Sequence, residues 1–75
     1  MEKYKSIAGN SGVIAYEAGA DFIKIKFIDG SVYLYSYRNP GKVHVEHMKM
    51  LAKKGRGLST YISRYVRVNY EEKLV

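Results

Sequence analysis

Residues 53–57, with the sequence KKGRG, combine the features of a site for phosphate groups. Glycine lets an anion approach the backbone, N–H groups at the start of a following helix attract negative charge, and Lys or Arg side chains neutralise it. The GxxxxGK[ST] spacing of a P-loop is absent, so this chemistry suits the phosphates of a nucleic acid. The alternative is an ordinary glycine-containing turn between two helices.

Tyr33, Tyr35 and Tyr37 recur at every second position of the segment SVYLYSY. In a β-strand such residues lie on one face, where aromatic rings could stack unpaired bases at about 1–3 kcal/mol per base. Three roles are open for this face: stacking bases, packing beneath the C-terminal tail, and forming a contact between copies of the chain or with another protein.

Metal binding and catalysis find little support in the sequence. His44 and His47 share a helix face at a spacing that metal sites sometimes use, but there is no cysteine and no third histidine to complete a tetrahedral set. Ser59, Thr60 and Ser63 lie near basic residues without a recognisable nucleophile and base. We therefore expect no cofactor, no metal, no catalytic residues and no enzymatic activity.

The charge of the chain is basic and unevenly distributed. The formal net charge is +6, and residues 47–70 contain lysine and arginine but no aspartate or glutamate. A basic segment of this kind favours a polyanionic partner, although a solvated helix face accounts for such a run equally well.

The length and composition predict one domain over residues 1–75. A chain of 75 residues has a thin core, and the absence of cysteine removes disulfides and favours the cytoplasm. No segment approaches the roughly 20 apolar residues of a membrane-spanning helix. We expect neither export nor membrane insertion.

A short apolar run between turn residues predicts a strand at residues 13–16, and alternation predicts two further antiparallel strands, at residues 22–28 and 31–37. Asp29-Gly30 predicts a two-residue type I′ turn between the last two. That register places five apolar residues on the core face: Ile23, Ile25, Phe27, Val32 and Leu34. It pairs Lys26 with Tyr33, and Lys24 with Tyr35, on the other face.

Two helices should follow the strands. Pro40 suits the first turn of a helix over residues 41–54, with Val45, Met48, Leu51 and Ala52 on its buried stripe and Gly55 at its end. Residues 58–66 repeat apolar side chains at helical spacing and predict a second, short helix. The fold class is therefore α+β, a three-stranded antiparallel meander followed by two short helices, βββαα.

The order of these pieces resembles the KTSC domain over about residues 6–65, with residues 66–75 as a C-terminal tail. The resemblance lies in the YLY of residues 33–35, in Lys54-Gly55-Arg56 and in Ile62. This family is named from a segment at the C-terminus of some lysyl-tRNA synthetases and also occurs as small free-standing bacterial or phage proteins. It implies RNA binding, itself a proposal for the family, and no established enzymatic activity.

The function that the sequence favours is a small nucleic-acid-binding module, with RNA preferred to DNA because aromatic rings stack on unpaired bases. A protein-interaction or homodimerisation module that uses the tyrosine face is the alternative. The residues expected to contact nucleic acid are Lys24, Lys26, Tyr33, Tyr35, Lys53, Lys54, Gly55, Arg56, Arg64 and Arg67.

Overall fold

A computed structural model describes residues 1–6 and 12–75, and in them an antiparallel sheet carries the helices on one face. The elements are β1 (Glu2–Lys3), β2 (Val13–Ala18), β3 (Phe22–Phe27), β4 (Val32–Ser36), α1 (Lys42–Lys54), α2 (Leu58–Tyr61), a π-helical turn (Ile62–Val66) and β5 (Glu72–Lys73). The strand order is β1-β2-β3-β4-β5. The predicted α+β class is confirmed. The three-strand count is wrong, because β1 and β5 extend the central meander at its two edges.

The hairpin between β3 and β4 has a three-residue loop instead of the predicted two-residue turn. The Phe27 N–H donates to the Ser31 carbonyl at 2.9 Å, and the Gly30 N–H donates to the Phe27 carbonyl at 2.9 Å. Gly30 has φ 90°, a left-handed conformation that glycine adopts without strain. The Asp29 carboxylate accepts hydrogen bonds from the Ser31 N–H at 3.0 Å and from its hydroxyl at 2.6 Å, which stabilise this loop.

The longer loop moves the register by one residue and exchanges the two faces of β4. Tyr33 lies opposite Ile25 and Tyr35 opposite Ile23, while Leu34 lies opposite Lys24 and Val32 opposite Lys26. A slip of one residue turns every side chain of a strand to the other face. The predicted pairing of tyrosines with lysines is therefore wrong, and both tyrosines lie on the side of the sheet that the helices cover.

Tyr35 is at the centre of the core. Its side chain is fully buried, and its hydroxyl donates to the backbone carbonyl of Arg67 at 3.2 Å. Burial raises the pKa of this phenol, so the ring stays neutral. The other fully buried large side chains are Ile23, Ile25, Val45, Met48, Leu58 and Val66.

Helix α1 confirms the predicted helix over residues 41–54 and ends as expected. Gly55 adopts a left-handed conformation, with φ 73°, and its N–H donates to the Leu51 carbonyl at 3.0 Å. The second predicted helix consists of the four-residue α2 and then the π-helical turn, in which the Arg67 N–H reaches the Ile62 carbonyl at 2.6 Å. No helix in residues 1–6 and 12–75 is long and apolar enough to cross a membrane.

We expect Tyr35→Ala to lower the free energy of unfolding by about 3–5 kcal/mol, because it leaves a cavity beneath α1. Tyr35→Phe keeps the ring and loses one hydrogen bond, so it should cost about 1 kcal/mol. Urea denaturation followed by circular dichroism measures both changes.

Val43→Ala is the control for this prediction. Val43 is 79% exposed on α1, so its truncation should change the free energy of unfolding by less than about 0.5 kcal/mol. A Tyr35→Ala protein as stable as this control would contradict the register described above.

Candidate functional site

The tyrosines of β4 serve packing rather than surface contact. Tyr35 is buried, and the Tyr33 ring is stacked on Tyr70 at a centroid distance of 4.7 Å and an interplanar angle of 4°. Phe27 packs against Tyr33 as well, at 5.5 Å between ring centroids. A face for stacking bases or for joining two copies requires exposed rings, so the expectation that Tyr35 contributes to one conflicts with the structure, and Tyr33 is only partly exposed.

The lysines of β3 lie on the opposite face of the sheet from these tyrosines. Lys24 and Lys26 alternate with the buried Ile23 and Ile25, and Lys24 Nζ lies 3.9 Å from a Glu17 carboxylate oxygen. The thickness of the sheet therefore separates Lys24 and Lys26 from the helices.

Residues 53–57, which were predicted to bind phosphate, form the C-terminal end of α1 and the turn that follows it. Lys53 and Lys54 belong to the last turn of α1, where cations interact favourably with the helix dipole, and the buried Gly55 stops the helix. The side chains of Lys53, Lys54 and Arg56 are exposed. Since α2 has only four residues, its own dipole adds little, and any anion here must depend mainly on the basic side chains.

A cleft of about 320 Å³ lies between the N-terminal strand and the end of α1. Its walls come from the last turn of α1 and from the edge of the sheet at β1. The residues that line it are Glu2, Lys3, Lys5, Tyr16, Ala52 and Lys53. We call this the basic cleft.

A buried tyrosine fixes the N-terminal wall of the basic cleft. The Tyr4 side chain is buried against Tyr16 in an edge-to-face contact with a centroid distance of 6.5 Å, and the Tyr4 N–H donates to the Ile14 carbonyl at 2.9 Å. Lys3 and Lys5 flank Tyr4 in the chain, so this contact holds both lysines at the edge of the sheet.

The polar groups of the basic cleft favour a negatively charged ligand. Three lysines line it with one carboxylate, and that carboxylate, Glu2, accepts a hydrogen bond from the Tyr16 hydroxyl at 2.9 Å. Burial raises the pKa of the Tyr16 phenol, and the hydrogen bond and the charge of Glu2 raise it further. Glu2 is thus already partnered within the fold, whereas lysine ammonium groups can only donate hydrogen bonds and accept none.

Some of the residues predicted to contact nucleic acid lie at the basic cleft. Lys53 lines it together with Lys3 and Lys5, two residues that the sequence analysis did not predict. Lys54, Gly55 and Arg56 follow Lys53 directly in the chain. The alternation of lysines in EKYKS, around one apolar residue, was the available signal.

The two predicted arginines lie elsewhere. Arg64 is exposed on the π-helical turn, and Arg67 is exposed just after it, with its backbone carbonyl bonded to Tyr35. Neither lines the basic cleft. Within the described part of the chain, no group of three or more His, Cys, Asp or Glu side chains is placed to hold a metal ion.

Comparison with known proteins found no match for this chain among family models, curated proteins or solved structures. The resemblance to the KTSC domain stays a prediction.

We expect Glu2→Gln to strengthen the binding of tripolyphosphate to the basic cleft by about two- to fivefold, because it removes the carboxylate that the described residues contribute to the lining and keeps an oxygen for the Tyr16 hydrogen bond. The amide shifts of Ala52 and Lys53 in NMR titrations report this affinity.

Glu17→Gln is the matched control, since it removes the same charge from the other face of the sheet, next to Lys24. Equal effects of the two substitutions would show that net charge, and not the basic cleft, governs the binding of the anion.

Proposed function

We propose that this chain is a small nucleic-acid-binding module that holds a phosphate backbone in the basic cleft, with RNA favoured over DNA. The observation that carries the proposal is the position of Lys53 beside Lys3 and Lys5, which come from the opposite end of the sequence. Three lysines that line one cleft with a single carboxylate, which is itself hydrogen-bonded to Tyr16, attract an anion in preference to a cation.

The distribution of charge supports the same partner. Residues 47–70 lack acidic residues, so Lys54 and Arg56 continue the positive charge of Lys53 along the turn after α1. The nearest acid on α1, Glu46, accepts hydrogen bonds from Tyr37 at 2.6 Å and from Lys49 at 2.8 Å, and is held by these partners. A chain of phosphates could therefore run from the cleft along the turn.

The set of proposed contacts differs from the one that the sequence suggested. Lys53, Lys54, Gly55 and Arg56 stay in it as the turn that follows the cleft. Lys3 and Lys5 enter because they line the cleft, while Lys24 and Lys26 leave because they do not line it. The preference for RNA rests on the resemblance to the KTSC domain.

Two double variants of equal charge test the proposal. Lys5→Gln with Lys53→Gln should weaken binding of a fluorescein-labelled 12-nucleotide single-stranded RNA by about tenfold at low salt. Because each phosphate contact on a single strand contributes about 0.7 to the slope of log K against log salt, this variant should reduce the slope by about 1.4. Fluorescence anisotropy at four salt concentrations measures both quantities.

Lys24→Gln with Lys26→Gln removes the same two charges from the opposite face and should leave the slope nearly unchanged. If both double variants lower affinity and slope equally, the charge acts without a defined site. If the original protein binds with no dependence on salt, the proposal fails.

A further inference from the structure

Four rings meet on the surface of the two helices, away from the basic cleft. The Tyr61 ring lies 4.5 Å from His47, 5.8 Å from His44 and 4.8 Å from Tyr65, measured between ring centroids. The Tyr61 hydroxyl is 2.6 Å from His44 Nδ1, a hydrogen bond that ties α2 to α1 and fixes the ring. We call His44, His47, Tyr61 and Tyr65 the helix ring cluster.

Tyr65 lies outside the core, whereas Tyr61 is partly buried and packs against it. Leu58, Ile62 and Val66 form the buried side of α2 and the π-helical turn, whereas Tyr65 is 56% exposed. The π-helical turn explains the difference, because it places more residues in each turn than an α-helix and so rotates Tyr65 away from the side on which Ile62 is buried. Such turns are frequent at functional sites.

The charges around the helix ring cluster favour an anion. His47, Tyr61 and Tyr65 belong to the segment without acidic residues, and Arg64 is exposed next to Tyr65. The carboxylate of Glu46 accepts hydrogen bonds from Tyr37 and Lys49. Lys49 also donates to the carbonyl of Ala20 in the β2–β3 turn. Carboxylates are thus missing from the chain segment that contributes most of these rings.

We propose that the helix ring cluster stacks an unpaired base of single-stranded RNA, with Tyr65 as the contacting ring and Arg64 near the adjoining phosphate. The inference rests on the proposed function, and adds the base to a phosphate site. Base stacking in single-stranded nucleic-acid sites requires an exposed ring and a nearby cation. Tyr65 is exposed and is followed by no acidic residue before position 71, and Arg64 is exposed beside it in the chain. A second copy of this chain fits less well, because each copy carries a net charge of +6 and would present the same basic surface to the other.

A comparison of two probes tests the base contact separately from the phosphate contact. One is a 12-nucleotide oligoadenylate, and the other is an abasic oligomer with the same backbone length and charge. The original protein should bind oligoadenylate about five- to tenfold more tightly than the abasic oligomer at the same salt concentration. Tyr65→Ala should reduce this preference to less than twofold, while Tyr65→Phe, which keeps the ring, should retain it.

Ile28→Ala is the matched control, because Ile28 is 74% exposed in the β3–β4 loop, outside the cluster.

NMR contacts between Tyr65 ring protons and adenine protons would support the inference directly. Equal, salt-dependent binding of the two probes would overturn the base contact and leave the phosphate site intact. Binding of neither probe would overturn both proposals. A dimer of the original protein that Tyr65→Ala dissociates, with no preference for oligoadenylate, would assign the cluster to self-association and overturn the base contact.

Discussion

The loop from Ile28 to Gly30 sets the register on which the rest of this structure depends. A loop of three residues places Tyr33 opposite Ile25 and Tyr35 opposite Ile23, so that the phenol rings join the core beneath the helices. With a two-residue loop the same rings would face solvent. The C-terminal segment depends on this choice, because Tyr70 stacks on Tyr33 and the Tyr35 hydroxyl holds the backbone at Arg67.

Because Tyr33 and Tyr35 pack within the fold, the candidate functional surfaces are the edge of the sheet at β1 and the exposed side of the helices, and not the face of β4. The edge of the sheet at β1 and the last turn of α1 form the walls of the basic cleft. On the opposite flank of α1, the π-helical turn directs Tyr65 outward. A small domain can bury few side chains. The basic cleft offers exposed lysines to a ligand, and the helix ring cluster offers an exposed tyrosine beside an arginine.

Much of the fold was accessible from the sequence because local signals determine it. An apolar run between turn residues located β2, alternation located β3 and β4, and Pro40 and Gly55 bounded α1 to within a residue. Asp-Gly correctly predicted a hairpin, but the predicted two-residue loop was wrong, since the hydrogen bonds of the Asp29 carboxylate to Ser31 favour three residues and a glycine suits either loop. The one additional loop residue shifts the register by one position, so each side chain of β4 lies on the face opposite to the predicted one.

The candidate site was less accessible, because tertiary contacts create it. Lys53 was singled out from its own turn, but Lys3 and Lys5 reach it only through the pairing of β1 with β2, and two-residue strands give no periodic signal. The spacing of residues 58–66 predicted an α-helix, and the π-helical turn changes the side on which Tyr65 lies.

The most direct test of the account is an NMR titration of the ¹⁵N-labelled protein with a short single-stranded RNA at two salt concentrations. We expect the amide shifts to concentrate at Lys3, Lys5 and Lys53 and to diminish as salt rises. Shifts that concentrate at Lys24 and Lys26, or that do not respond to salt, would contradict this expectation.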